Sequence, residues 1–168
     1  SSNLTVAPSL YAKLPYDSIK DFTPIINVAI VPYALAVNPT VPAKNVKELI
    51  AVATKRPGYL SYGSSGMGSM SSLAAEMLKS ESKTNIVHVP YKGTLPALTD
   101  VISGQIDMML ADFALIKSHA DSGRLRVLGV TGSKRSAAAP SVPTIAESGL
   151  PGYELSPWFG VVAPAGVP

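Results

Sequence analysis

The chain contains no cysteine. That excludes disulfide staples, thiolate nucleophiles and cysteine-ligated zinc, and it is compatible with either side of a membrane. Only two histidines occur, His88 and His119, isolated from one another, so no metal site and no cofactor is expected. Charge is sparse: fourteen Lys+Arg against eleven Asp+Glu leave +3, and the tightest basic group is Lys134-Arg135. Nucleic acid is therefore not an expected partner, because backbone binding wants a basic stripe and single-strand binding wants aromatics along it. The longest apolar run, residues 24–37, is interrupted by Asn27 and Pro32 and falls short of the about twenty residues that span a bilayer. Direct membrane insertion is not expected either.

What is present points to a folded domain. Hydrophobic residues make up 46% of 168, and mean hydropathy is +0.25. A chain of this length buries roughly two-thirds of its unfolded surface without a staple. It opens at Ser1-Ser2-Asn3 with no Met or signal region and stops at Pro168, so both ends are expected to be cut relative to a longer precursor.

Apolar periodicity and turn residues predict strands over residues 25–30 and 33–37, separated by Pro32. Asn45 is placed to cap a helix over 46–55 that buries Val46, Leu49, Ile50 and Ala53. Strands over 60–62, 86–89, 106–111 and 125–131 then alternate with helices over 70–79, 95–103 and 112–121. Met70, Leu73, Met77, Ala74 and Leu78 form the expected core stripe of the first of these helices. A helical turn follows at 144–148, and residues 153–163 are a last β-rich run. Strands alternating with helices imply an α/β fold with an open, mainly parallel sheet flanked by helices.

The stretch 59–78 is a strand, a Gly/Ser turn and a helix. Gly63, Gly66 and Gly68 allow positive φ and close backbone approach, and Ser64, Ser65 and Ser69 set hydroxyls beside the free amides of a helix start. The stretch is either an anion cradle or merely a tight turn. Walker A spacing is present between Gly63 and Gly68, but Ser69 stands where lysine is needed. Ser71 replaces the third glycine of a dinucleotide fingerprint, and Met67 breaks a nucleophile elbow.

Ligands of open parallel sheets bind beyond the carboxyl ends of the strands, which adds Pro90 to Thr94, Ala111 to Phe113 and Thr131 to Ser133. Lys92 is a counter-charge to an anion or a solvated turn residue. Asp112 accepts from a ligand amine or hydroxyl, or caps the next helix. His88, mid-strand, faces away from Val87 and Val89, in a structural or surface role or else in ligand contact or catalysis; His119 is expected on a solvated helix face. Tyr16, Tyr62 and Tyr91 have no evident acid or base partner, and spacing offers no nucleophile and base pair, so no catalytic residue is assigned.

In order along the chain, several motifs resemble one family. They are Leu14-Pro15-Tyr16-Asp17 with Asp21-Phe22-Thr23-Pro24, residues 37–44, Tyr62-Gly63-Ser64-Ser65-Gly66-Met67-Gly68-Ser69 and Val87-His88-Val89-Pro90-Tyr91-Lys92-Gly93. Residues 104–109 and 142–153 continue the match, followed by Trp158-Phe159-Gly160 and Ala163-Pro164-Ala165-Gly166. Together they resemble the periplasmic solute-binding proteins of tripartite tricarboxylate transporters, also called TctC or Bug receptors.

The resemblance implies a periplasmic binding protein type II-like, Venus-flytrap receptor. Such a receptor closes on a small carboxylate and delivers it to the permease subunits of its transporter, without catalysis. It further implies a truncated chain: residues 1–29 are a first-lobe remnant and connecting segment, 30–153 the second, ligand-binding lobe, and 154–168 the return segment. Carried over by position, the family's carboxylate loop falls on Ser64, Ser65, Gly66, Gly68 and Ser69, the neighbouring loop on Tyr91, Lys92 and Gly93, and Asp112 follows. Two departures leave the ligand's identity open: Ser72 stands where many relatives have His, and residues 113–117 replace a Pro-rich turn. The alternatives are an α/β enzyme using the same loop for a phosphate or acyl substrate, and a receptor whose output is signalling. A lone lobe is also expected to dimerise.

Overall fold

The structure, a computed structural model, describes residues 2–167. Contacts divide the chain into two units, one running to Val31 and resuming at Pro157, the other Pro32–Ser156. The first unit begins with two helical turns, α1 (Ser2–Thr5) and α2 (Ala7–Leu10), followed by strand β1 (Phe22–Ile30). Between them the Asp17 carboxylate accepts from the amides of Ile19 and Lys20, which closes the turn.

The second unit runs β2 (Tyr33–Val37), α3 (Val46–Lys55), β3 (Ser61–Ser64), α4 (Met70–Ser82), β4 (Val87–Pro90) and α5 (Thr94–Ser103). It continues through β5 (Met108–Asp112), α6 (Phe113–Asp121), β6 (Arg126–Val130) and α7 (Ile145–Ser148). The chain then returns to the first unit as β7 (Trp158–Pro164), antiparallel to β1.

Helix starts follow their caps. Asn45 Oδ1 accepts from the Glu48 amide at 2.8 Å, and Glu48 in turn accepts from the Lys44 amide at 2.7 Å. Thr144 and Glu147 form a reciprocal capping box on α7. Helix α5 ends at Gly104, whose φ of 79° is left-handed. Below that end, the buried Asn38 donates its Nδ2 to the carbonyls of Val101 at 2.7 Å and Ile102 at 3.3 Å. Asn38 therefore serves as a cap for α5 as well as ending β2.

The sheet order is β4-β3-β5-β2-β6. β3 pairs parallel with β4 and β5, whereas β2 runs antiparallel to both β5 and β6. Four strands thus share one direction and β2 opposes them. Alternating strands and helices imply a common direction only for strands joined by crossover helices. No helix precedes β2 within its unit, so local pattern left its sense undetermined.

Alternation along the strands divides the core into two layers. Leu35, Val37, Met108 and Leu110 face α3, α4 and α7, whereas Ala34, Ala36, Met109 and Ala111 face α5 and α6. Tyr62 and Tyr153 lie in the first layer, and the Tyr153 hydroxyl donates to the Ala74 carbonyl of α4 at 2.9 Å. The expected stripe of α4 is corrected at one position. Ala74, Ala75 and Leu78 are buried with Ser71 and Ser72, whereas Leu73 is exposed, because the helix turns its serine side to the sheet.

Candidate functional site

Parallel pairing places Ser64 of β3 opposite Pro90 of β4. The turn over residues 65–69 and the turn over 91–93 therefore leave the sheet side by side, and the Tyr91 amide ties them by donating to the Ser64 carbonyl at 3.0 Å. Each turn opens a helix of ten or more residues, α4 or α5. Gly66, Gly68 and Gly93 have φ of 125°, 73° and 144°, a region in which a side chain is strained. Gly63, which could also take positive φ, does not adopt it. It is a strand residue where a Cβ would overlap the Ile106 side chain and press on Ala97, so close packing is what requires glycine there.

The hydroxyls shape the turn. Ser64 is fully buried; its Oγ accepts from the Gly66 amide at 3.2 Å and lies 3.1 Å from the Gly66 carbonyl oxygen. Ser69 caps α4 by accepting from the Ser72 amide, and its own hydroxyl donates to the Gly66 carbonyl at 2.7 Å. Ser71 is the hub: its Oγ accepts from the Ser65 amide at 3.0 Å and lies 3.1 Å and 2.9 Å from the Ser65 and Ser69 hydroxyls. The residue that spoils a dinucleotide fingerprint thus holds the loop together. Among the described residues no acceptor takes the amides of Gly68, Met70 and Ser71, nor those of Lys92, Gly93 and Thr94. Two helix starts with unbonded N–H groups at one sheet edge favour a negative charge, each by about 0.3–2 kcal/mol.

Tyr91 turns its hydroxyl away to donate to Asp100 Oδ2 at 2.6 Å, and that bond, with burial and the Asp100 charge, pushes it up to about 12. Tyr62 likewise donates to Glu76 Oε1 at 2.6 Å, so both tyrosines have the acid partner that spacing did not show. Lys92 is exposed and makes no ion pair among the described residues. Asp112 ends β5, the other neighbour of β3, at the cap position just before α6, but its side chain makes no capping bond. The capping expectation fails there. Its Oδ1 is enclosed without a partner, and burial pushes the carboxyl up; the opposing Tyr33 hydroxyl is raised by burial and then by the Asp112 charge. Thr131, at the end of β6, is fully buried and bonded to the Tyr33 and Leu155 backbone, so this strand end is closed.

His88 is the feature that sequence reasoning undervalued. It is opposite Tyr62 in the parallel register, on the same face as Ser64 two residues on, and its Nε2 lies 2.6 Å from Ser64 Oγ. Aligning the two strands on their loops would have revealed this, because period two puts all three side chains on one face. Desolvation pushes His88 below its usual range and Lys79 adds to this, whereas Glu76 opposes it. Burial raises Glu76, but the Lys79 and Tyr62 hydrogen bonds together with the Lys79 and His88 charges outweigh it and hold the carboxyl low. His119 is half-buried with its Nδ1 enclosed and unpartnered, not solvated as its helix position suggests.

Among the described residues no group of three or more His, Cys, Asp or Glu is placed to hold a metal ion, and no helix is long and apolar enough to cross a membrane.

A family model described as "Tripartite tricarboxylate transporter family receptor" matches residues 1–168. Three solved structures are similar in sequence and fold. "R. palustris Rpa4515 with adipate" is 40% identical with a TM-score of 0.86, covering 94% of this chain and 53% of its own. MatC (Rpa3494) from Rhodopseudomonas palustris with bound malate is 30% identical with a TM-score of 0.88, covering 99% and 57%. The periplasmic binding protein BugD is 34% identical with a TM-score of 0.89, covering 99% and 56%. The chain spans about half the length of the curated relatives it matches. With a mixed sheet flanked by helices and a match along its whole length, the chain belongs to the tripartite tricarboxylate transporter receptor family of solute-binding proteins.

Proposed function

We propose that the chain captures a small carboxylate at the paired turns, as part of a periplasmic receptor that hands its ligand to the permease subunits of a tripartite tricarboxylate transporter. The observation that carries this function is the pair of adjacent helix starts with unbonded amides, at Gly68, Met70 and Ser71 and at Lys92 to Thr94. Similar proteins with adipate and with malate support a small dicarboxylate as the ligand class. Gly66, Gly68, Ser69, Lys92 and Gly93 supply backbone and charge, Ser64 and Ser65 shape the loop, Tyr91 contributes its main chain, and Asp112 borders the site. Full affinity requires a second lobe over this edge, because closure buries a ligand between two faces.

An amide chemical-shift titration with malate and adipate tests the site. Residues 65–69 and 91–93 are expected to shift; shifts elsewhere with these silent would refute the assignment. Self-association is expected as well, since Ile25, Ile26, Val28, Ile30 and Phe159 of the β1/β7 ribbon are exposed. Light scattering that shows a strict monomer at high concentration would contradict it.

A second function has one observation in its favour. The Ser64 and His88 contact at 2.6 Å has the geometry of a nucleophile and its base. Against hydrolysis stands the complete burial of Ser64, whose hydroxyl also bonds the Gly66 peptide and leaves no approach for an acyl carbon. Turnover of an activated ester, abolished in Ser64→Ala, would reverse this preference.

A further inference from the structure

The contacts of Ser64 carry an inference that rests on the carboxylate-capture function above. Ser64 Oγ touches three polar atoms: His88 Nε2 at 2.6 Å, the Gly66 amide nitrogen at 3.2 Å and the Gly66 carbonyl oxygen at 3.1 Å. Its single proton serves either the imidazole or the Gly66 carbonyl. Against a neutral ring bare at Nε2, the proton goes to His88, and the carbonyl keeps the Ser69 hydroxyl at 2.7 Å. Against an imidazolium, Nε2–H donates to Ser64, whose hydroxyl then turns to the Gly66 carbonyl. Both polar atoms of the Gly66 backbone are then held by one side chain.

We propose that His88 is a positioning residue of the carboxylate cradle, acting through Ser64 on the Gly66 backbone, and that anion affinity rises as its imidazole takes up a proton. The groups facing the ring are the Tyr62 ring from β3, with centroids 4.5 Å apart, and Glu76 and Lys79 from α4. Glu76 is already engaged by the Tyr62 hydroxyl and the Lys79 ammonium at 2.7 Å, so it acts on the imidazole through its charge and not through a hydrogen bond. Burial of the ring outweighs the opposing Glu76 charge and favours the neutral form, and the proton is taken up below the ordinary histidine range. An anion in the cradle sets a negative charge beside the Ser64 turn, and reciprocity requires that whatever the proton does for the anion, the anion does for the proton.

The test is a pH titration of the 168-residue chain by NMR, following the His88 ring and the Ser65 and Gly66 amides, alone and with excess malate. Without ligand, the Gly66 amide is expected to move with the His88 midpoint, to lose that response in Ser64→Ala, and to keep it in Ser64→Thr. Should Ser64→Ala fail to fold, His88→Gln decides, because it offers a hydrogen-bonding amide that does not titrate and must abolish the response. A Gly66 amide indifferent to His88 titration, or a response intact in either removal variant, overturns the positioning role. Malate is expected to raise the His88 midpoint by about 0.5 pH, equal to about threefold tighter binding to the protonated form. A midpoint that stays put while malate shifts the cradle amides overturns the affinity coupling alone. Cradle amides silent to malate at every pH overturn carboxylate capture and the coupling with it, while the ligand-free titration still decides the positioning role.

Discussion

The imidazole of His88 lies flat on the ring of Tyr62, with centroids 4.5 Å apart and planes 2° from parallel. The stack exists because β3 and β4 pair parallel with the two residues opposite one another. It explains the direction of the His88 shift, since a ring covered on one face loses water that its charged form needs.

Stability should therefore depend on pH through this residue. Its folded midpoint lies below the ordinary value of about 6.5, so the unfolded chain binds the proton first as pH falls. The contribution is complete above about pH 6.5 and is lost as pH drops toward the folded midpoint. Urea midpoints at pH 7.5 and 5.5 are expected to differ more in the wild type than in His88→Gln. An equal fall in both would show that burial of this ring carries no proton linkage.

Ser71→Ala removes the hub that joins Ser65 to Ser69. The Ser65 amide loses its acceptor in a half-buried turn, at a cost of about 1–3 kcal/mol. Chemical denaturation should detect the loss, and the amides of residues 65–69 should broaden or shift together. A variant as stable as the wild type, with an unchanged amide spectrum, would remove Ser71 from this role.

Gly63→Ala tests the packing reason for that glycine. Its added methyl meets Ile106 and Ala97 on the α5 side of the sheet, and overpacking of this kind costs about 1–3 kcal/mol. Trimming the obstruction in the double variant Gly63→Ala with Ile106→Val should recover part of the loss. A double variant less stable than the sum of the single changes would contradict the clash.

Asp112→Asn separates stability from binding. The carboxyl is raised by burial, so its charged form opposes folding at neutral pH. That opposition is absent below the ordinary carboxyl midpoint of about 3.9 and grows as pH rises through the folded one. The variant is expected to be more stable than the wild type at pH 7, with the advantage vanishing near pH 4. Weaker binding in an equally folded Asp112→Asn, measured by malate titration, would place Asp112 in the site; unchanged binding would place it beside the site.

The order of strands and helices in the second unit was legible because each signal is local. Asn45 caps α3, Gly104 ends α5, and the Gly/Ser turn precedes α4, all as residue chemistry dictates within a few positions. The pairing of the two turns was legible in outline, since strand ends gather ligands in open sheets. Less legible was the work of the side chains: Ser64 and Ser69 read as free hydroxyls, Ser71 only as a missing glycine, and Tyr62 and Tyr91 as unpartnered, until packing brought Glu76 and Asp100 to the two tyrosines.

The sequence by itself determined the α/β architecture, the Gly/Ser turn before α4, and the family. Those follow from periodicity, turn chemistry and motif order, which act between near neighbours in the chain. Only the tertiary structure decided the direction of β2, the burial of Ser64, and the contact of His88 with a serine twenty-four positions away. Strand pairing and register are set by the whole core at once, and a partner that distant is chosen by the sheet, not by spacing along the chain.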